Sequence, residues 1–180
     1  VWQTSWGVST RLVGSVIMAH GDDSGLKFPP RIAPVQIVIV PISLGNWKEE
    51  VLPLARKLEN KLTQAGWRII LDAREEFTPG WKFSEHEMRG IPLRIEIGMR
   101  DIEKNQVIAV RRDTMAKEAI DLGSLESTVP QILAEIQNSM LEKARKFQEE
   151  NTHKVDNYED FKFVLESKKG FIKAFWCGKQ

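Results

Sequence analysis

The chain has 180 residues, 42% of them hydrophobic and 28% charged, the balance of a soluble globular protein with room for one ordinary domain plus extras. Its 26 Lys and Arg stand against 25 Asp and Glu, a formal charge of +1, so any nucleic-acid binding has to come from a local surface and not from a global field. The single cysteine, Cys177, excludes an internal disulfide, the longest apolar runs (residues 12–19 and 35–42) are too short to span a bilayer, and no basic-then-apolar leader marks a secretory signal.

Residues 1–7 read as strand-like, because Val1, Trp2, Gln3 and Thr4 suit a pleated surface. A short helix is expected over 10–19, with Leu12, Val13, Val16 and Ile17 along one side. Residues 20–34 read as a linker, punctuated by GDDSG at 21–25 and by Pro29 and Pro30. Residues 35–41 (VQIVIVP) are β-branched almost throughout and read as a strand covered on both faces. Asn46 and Glu49 have the spacing of a helix cap and its reciprocal partner. Val51, Ala55, Leu58, Leu62 and Ala65 then recur at helical spacing until Gly66. Pro53 lacks the N–H that the helical ladder needs, so a kink or a later start is expected. Residues 67–71 (WRIIL) complete a strand–helix–strand unit.

Thr78 to Gly80 reads as a turn, and residues 81–89 as a short polar helix stopped by Gly90. Over 91–99, Ile91, Leu93, Ile95 and Ile97 alternate with Arg94 and Glu96, the pattern of a half-exposed strand. Residues 106–111 (QVIAVR) should pair with it as a hairpin, and 117–122 add a short edge strand. Thr128 is expected to cap a long helix whose stripe is Val129, Ile132, Leu133, Ile136, Met140, Ala144 and Phe147, with Pro130 harmless in the first turn. A helix over 158–165 and a strand over 171–175 follow. The pattern gives an α/β domain over roughly residues 33–135, with a fragment of other structure at each end; the start on Val1 and the ending on WCGKQ read as edges of something longer.

Two groups of residues carry chemistry. Arg11 sits at a helix start beside Ser9 and Thr10, where a planar guanidinium can grip a phosphate through paired, charge-assisted hydrogen bonds. Spacing alone favours a surface salt bridge there, since phosphate loops need more than one such group. Between residues 78 and 112, Lys82, Arg94, Arg100, Arg111 and Arg112 alternate with Glu87, Glu96 and Asp101, close to Trp81 and Phe83. Arginines anchor phosphates and read guanine edges, carboxylates accept from base amino and imino groups, and aromatics stack on unpaired bases. A solvated strand face laced with ion pairs has the same composition and is the commoner source of it. His20, His86 and His153 lack metal-site spacing and read as structural or surface residues.

Residues 3–11 (QTSWGVSTR), 20–23 (HGDD) and 29–34 (PPRIAP) resemble the third signature motif and following linker of prolyl-tRNA synthetases of the archaeal/eukaryote-like type, which are class II aminoacyl-tRNA synthetases. The resemblance continues through Asp72, 78–83 (TPGWKF), Glu87, 90–94 (GIPLR), Glu96, Gly98, Arg100 and Asp101. It resumes at 154–158 (KVDNY) and 175–178 (FWCG), and so covers nearly all of the chain.

The resemblance implies that residues 1–32 are the end of a class II catalytic domain and its linker. Residues 33–135 would be an anticodon-binding domain, α/β with a mixed five-stranded sheet and three helices, and 136–180 a connecting helix and the start of a C-terminal zinc-type domain. The intact enzyme would be a cytoplasmic homodimer that activates proline with ATP and Mg²⁺ and transfers it to tRNA(Pro), with no membrane involvement. Ser9 and Arg11 would contact ATP. Phe83, Glu87, Arg94, Arg100, Asp101 and Arg112 would meet the anticodon, and Cys177 would be the first of the Zn²⁺ ligands. The two earlier class II motifs are absent, so no catalytic residue is expected here and the chain alone should neither activate proline nor hold zinc tightly. The rival reading is a non-catalytic accessory protein that uses the same fold to hold a protein partner.

Overall fold

The computed structural model describes residues 3–176 and residue 178, and the chain divides into two compact units, residues 1–140 and 141–180. The first unit contains α1 (Arg11–His20), β1 (Ile37–Pro41), α2 (Trp47–Gln64), β2 (Ile69–Leu71), α3 (Pro79–Met88), β3 (Leu93–Ile97), α4 (Met99–Glu103), β4 (Gln106–Arg111) and β5 (Lys117–Asp121). Most of α5 (Leu125–Glu150) also belongs to it. The second unit follows with β6 (Thr152–Lys154), α6 (Tyr158–Ser167) and β7 (Phe171–Lys173). Among the described residues no helix is long and apolar enough to cross a membrane.

The sheet has the expected α/β class: five strands, mixed, in the order β2-β1-β3-β4-β5. β2, β1 and β3 run parallel, and β4 and β5 return antiparallel. Six helices accompany the strands among the described residues; α2, α3, α4 and the start of α5 fall within residues 33–135, where three helices were expected. Ile37, Ile39, Leu93, Ile95, Ile97, Val107 and Ala109 share one sheet face and are buried in the main core. Val51, Ala55, Leu58 and Leu62 of α2 pack in that core with Val129, Ile132, Leu133 and Ile136 of α5. The opposite face carries a smaller apolar cluster of Val38, Val40 and Ile91, with Ile70 and Phe83 against it.

Register explains what fills the rest of that second face. Val38 pairs with Arg94 and Val40 with Glu96 across β1 and β3, and Arg94 pairs with Val110 of β4. The two charged residues therefore lie on the Val38/Val40 face, the face that also receives Phe83 of α3. β3 is buried at every position, which corrects the expectation of a half-exposed strand. Alternation identified the two faces correctly, but the polar one is covered by protein and not by water.

Other local differences have equally plain causes. α2 starts at Trp47 and is continuous through Pro53, so the later start is not adopted, and Asn46 makes no side-chain cap bond. A mid-helix proline costs about 3 kcal/mol. Burying each of Val51, Leu58 and Leu62 returns roughly 1.5–3 kcal/mol, which exceeds that cost. Thr78 does not begin a free turn: its Oγ1 accepts from the Trp81 N–H and Pro79 opens α3, a cap worth about 1 kcal/mol. α5 starts three residues before Thr128, whose hydroxyl donates to the Ser124 carbonyl inside the first turn. Residues 3–9 adopt no strand, since no neighbour pairs with them, and α1 buries none of its residues.

In the second unit, β6 was not expected; it pairs in parallel with β7, and Asn157 caps α6 by accepting from the Asp160 N–H. Residues 20–34 are not a loose linker. Pro29, Pro30 and Ala33 are buried, and Arg68 Nε donates to the Ala33 carbonyl at 2.9 Å. Further upstream, the Leu26 and Phe28 N–H groups donate to the Met88 and Gly90 carbonyls at 3.0 and 3.1 Å. This strap lies so close to the end of α3 that a Cβ at Gly25 (φ +124°) would come within 2.5 Å of Met88 Cα. A Cβ at Gly90 (φ +74°) would come within 2.7 Å of the Leu26 backbone, so glycine is required at both places.

Candidate nucleic-acid interface

α3 lies over the polar half of its sheet face and contributes two charged groups of residues to the seam. The first is centred on Arg94, only 6% exposed. Its NH1 donates to Glu87 Oε1 at 2.6 Å and its Nε to Glu96 Oε1 at 3.0 Å, while its guanidinium lies 4.3 Å from the centre of the Phe83 ring. A buried guanidinium without partners would cost several kcal/mol, and two carboxylates remove that penalty. They also leave the trio with a surplus negative charge. Lys117 stands 3.8 Å from Glu96, so the less balanced carboxylate is that of Glu87, whose side chain is 21% exposed.

The second group is centred on Asp72, at the end of β2. Its carboxylate accepts from Arg74 Nε and NH2 at 2.8 and 2.7 Å and from His86 Nε2 at 2.7 Å. Its carbonyl accepts from Lys82 Nζ at 3.2 Å, and Arg74 also pairs with Glu85. Asp72, Glu85 and His86 stand close enough together to suggest a cation site, but the cation is the Arg74 guanidinium itself. Phe77 and Trp81 stack at 3.8 Å between ring centres beside that guanidinium. Lys82, His86 and Glu85 are all on α3, so this group pins the helix to the sheet and thereby places Phe83 and Glu87.

A third contact closes the other end of α3. Arg112, 3% exposed, shares the Arg94 face; its Nε donates to the Glu87 carbonyl at 2.9 Å and its two terminal nitrogens to Asp22 at 3.1 and 2.6 Å. Lys27 adds a second cation to Asp22 at 2.7 Å.

These contacts shift the acids in one direction. Arg112 and then Lys27 hold the Asp22 carboxyl well below the usual range. Burial works against the Asp72 charge, but the hydrogen bonds from Arg74 and His86 outweigh it and leave Asp72 low as well. Arg74 likewise depresses Glu85. Burial pushes Lys82 down. Carboxyls lowered on folding contribute stability that is complete above their unfolded value, about pH 4, and is lost as pH falls toward the folded value. The urea midpoint should therefore stay level from neutrality to about pH 5 and fall steeply below pH 4, less steeply in Asp22→Asn. Equal slopes in both proteins would show that Asp22 contributes nothing to acid sensitivity.

The residues singled out in sequence are thus distributed unevenly. Phe83, Glu87 and Arg94 come together, and Arg112 reaches the same helix turn from behind. Arg100 is exposed on α4, while Asp101 accepts from the Gly98 N–H at 2.9 Å and caps that helix. No hydrogen bond or ion pair among the described residues joins Arg100 or Asp101 to the Glu87–Arg94 pair. Arg111 points to the opposite face, onto Asp113 and Glu135, and Lys82 is fully buried, so neither forms part of a basic patch beside Arg94. Ser9 and Arg11 are exposed around the start of α1, with the Arg11 N–H 3.4 Å from Ser9 Oγ, and Cys177 lies outside the described residues. The Asp72 group and the Asp22–Arg112 clamp escaped sequence reading, because their members are up to 90 residues apart.

Residues 36–132 match the family model described as an anticodon binding domain. Over 179 residues, 99% of the chain, the sequence is 53% identical to a proline–tRNA ligase 2 of Bacillus cereus. It is 52% identical over all 180 residues to the proline–tRNA ligase of Natranaerobius thermophilus and 52% over 178 residues to that of Clostridium novyi. The chain spans 36–37% of the length of these relatives.

Proposed function

This chain belongs to the anticodon-binding domain family, and from that premise we propose that it is the tRNA-reading part of a proline–tRNA ligase, the enzyme that activates proline with ATP and attaches it to tRNA(Pro). The observation that carries the reading is the Glu87 carboxylate, held by the buried Arg94 within the family-matched segment and still partly open to solvent. A carboxylate is an acceptor only. Guanine presents two adjacent donors on its Watson–Crick edge, an imino and an amino group, whereas adenine presents an acceptor beside its single amino donor. An oriented carboxylate therefore accepts guanine and repels the alternative. Phe83, half-buried under the Arg94 guanidinium, supplies an aromatic edge for an unpaired base, and the exposed Arg100 a phosphate contact.

In this reading Arg94 works chiefly by orienting Glu87. Asp101 fixes the α4 turn that carries Arg100, and Arg112 supports the end of α3. Ser9 and Arg11 belong to the ATP side of the longer enzyme, where a guanidinium beside a hydroxyl suits a phosphate bound with Mg²⁺. Residues 1–32 close its catalytic domain, 33–135 form the anticodon reader, and 136–180 begin a further domain; the intact enzyme is a cytoplasmic homodimer. Cys177 would supply one thiolate to a four-ligand Zn²⁺ site of the complete C-terminal domain.

Glu87→Gln keeps the side-chain shape but converts one acceptor oxygen to a donor. It should weaken binding of an anticodon stem-loop carrying UGG by about tenfold, the low end of a well-formed base contact. Binding of a stem-loop with adenine in place of a guanine should change little, as measured by fluorescence anisotropy. Unchanged affinity for both RNAs would favour the accessory-protein reading; an equal loss for both would reduce the site to nonspecific charge.

A further inference from the structure

The strap and the reading carboxylate meet at one buried side chain. Arg112 uses three nitrogens on three acceptors: the Glu87 carbonyl at 2.9 Å and the two Asp22 oxygens at 3.1 and 2.6 Å. At 3% exposure it cannot also reach a phosphate or a base. Glu87 is therefore held twice, its main chain by Arg112 and its side chain by Arg94 at 2.6 Å. The strap that carries Asp22 is seated on the same turn. Its Leu26 and Phe28 amides bond to Met88 and Gly90, and Gly25 and Gly90 leave no room for a Cβ between strap and helix end. Asp22 follows α1 by two residues, so the strap connects α1 directly to the turn that bears the reader.

We propose that Arg112 is a positioning residue: locked by Asp22, it sets the aim of the Glu87 carboxylate and makes that aim depend on the seating of residues 22–28. The inference rests on Glu87 being the group that reads guanine. Its physical basis is that a recognition group keeps its geometry only when its support is itself fixed. The fork of arginine suits this place, because a lysine ammonium offers no planar array for a carbonyl and a carboxylate together. Removing the Asp22 charge leaves Arg112 on the Glu87 carbonyl but frees the guanidinium to swing, and the Glu87 turn with it. Asp22 is itself part-exposed, with a side-chain exposure of 35%, so its replacement does not bury an unpaired acceptor.

The test is a discrimination ratio, the dissociation constant of an anticodon stem-loop with adenine in place of a guanine divided by that of the stem-loop carrying UGG. The 180-residue chain is used, at a temperature where circular dichroism shows every variant folded. Asp22→Asn should lower this ratio about fivefold, a partial loss of one base contact, through the UGG arm alone. Asp22→Glu, which restores the charge, should recover most of it. Arg112→Gln, which removes the fork itself, should lower the ratio too; Gly25→Ala, which lifts the strap while leaving both charged partners intact, should do the same, and it decides the question if Arg112→Gln does not fold. Glu87→Gln is the control for the underlying reading. If Glu87→Gln lowers the ratio and neither Asp22→Asn nor Gly25→Ala does, the clamp only stabilises the fold and the inference is overturned. If Glu87→Gln leaves the ratio untouched, the reader assignment itself fails and the positioning role falls with it.

Discussion

Asp72→Ala should lower the folding stability of the first unit by about 3–5 kcal/mol, the loss found when one partner of a buried charge network is removed. Asp72 is buried, and its carboxylate accepts three hydrogen bonds at 2.7–2.8 Å, two from Arg74 and one from His86. Arg74 would keep Glu85, but His86 would lose its partner, and its Nδ1 already makes no hydrogen bond among the described residues. Lys82, at 0% exposure, would keep a carbonyl and lose its nearest counter-charge. Lys82→Met is the contrasting variant. It removes the desolvated cation and fills the space with a similar apolar stem, while the Asp72 carboxylate keeps Arg74 and His86, so it should be neutral or stabilising. Urea unfolding of the two variants checks both signs. A loss under about 1 kcal/mol for Asp72→Ala would mean that the group is solvated in practice and does not pin α3.

The second large effect is at Arg94. Arg94→Met should remove UGG stem-loop discrimination, a loss of about 1–3 kcal/mol. It should also cost about 3–5 kcal/mol in stability, because Glu87 and Glu96 would face each other without their shared donor. Those two consequences can be separated. Adding Glu96→Leu removes the stranded inner carboxylate and should return much of the stability, while discrimination stays lost because Glu87 has no guide. Recovery of both together would show that Arg94 influences RNA binding only through folding. A simple alanine at this position cannot draw that distinction, since burial makes Arg94 structural as well as functional.

Burial also marks where the sequence stopped being readable. The β-branched run of β1 and the spaced apolar residues of α2 and α5 announced themselves, because apolar periodicity reports which side of an element faces protein. Arg94 and Glu96 defeated the same logic: a polar residue in an alternating strand signals water or a paired interior with equal force. The pairings that settle the matter, Asp72 with His86 and Asp22 with Arg112, depend on chain segments that periodicity does not connect. β6 was missed for a simpler reason, since Thr152, His153 and Lys154 have no apolar alternation and become a strand only through β7. Of the proposed reader, the residue types of Phe83, Glu87 and Arg94 were legible, but the contacts each one makes were not. Arg112 was expected to face RNA and instead grips the strap.

The two faces of the sheet should also drift differently over evolutionary time. Between the sheet and α2 or α5 the contacts are hydrocarbon against hydrocarbon, and exchanges among Leu, Ile, Val and Met that conserve volume should accumulate one at a time with small penalties. Beneath α3 each charged group answers another, so a lone replacement strands its neighbour and a tolerated change has to arrive as a matched pair. Lineages should therefore show scattered single substitutions on one side and rare, correlated double substitutions on the other.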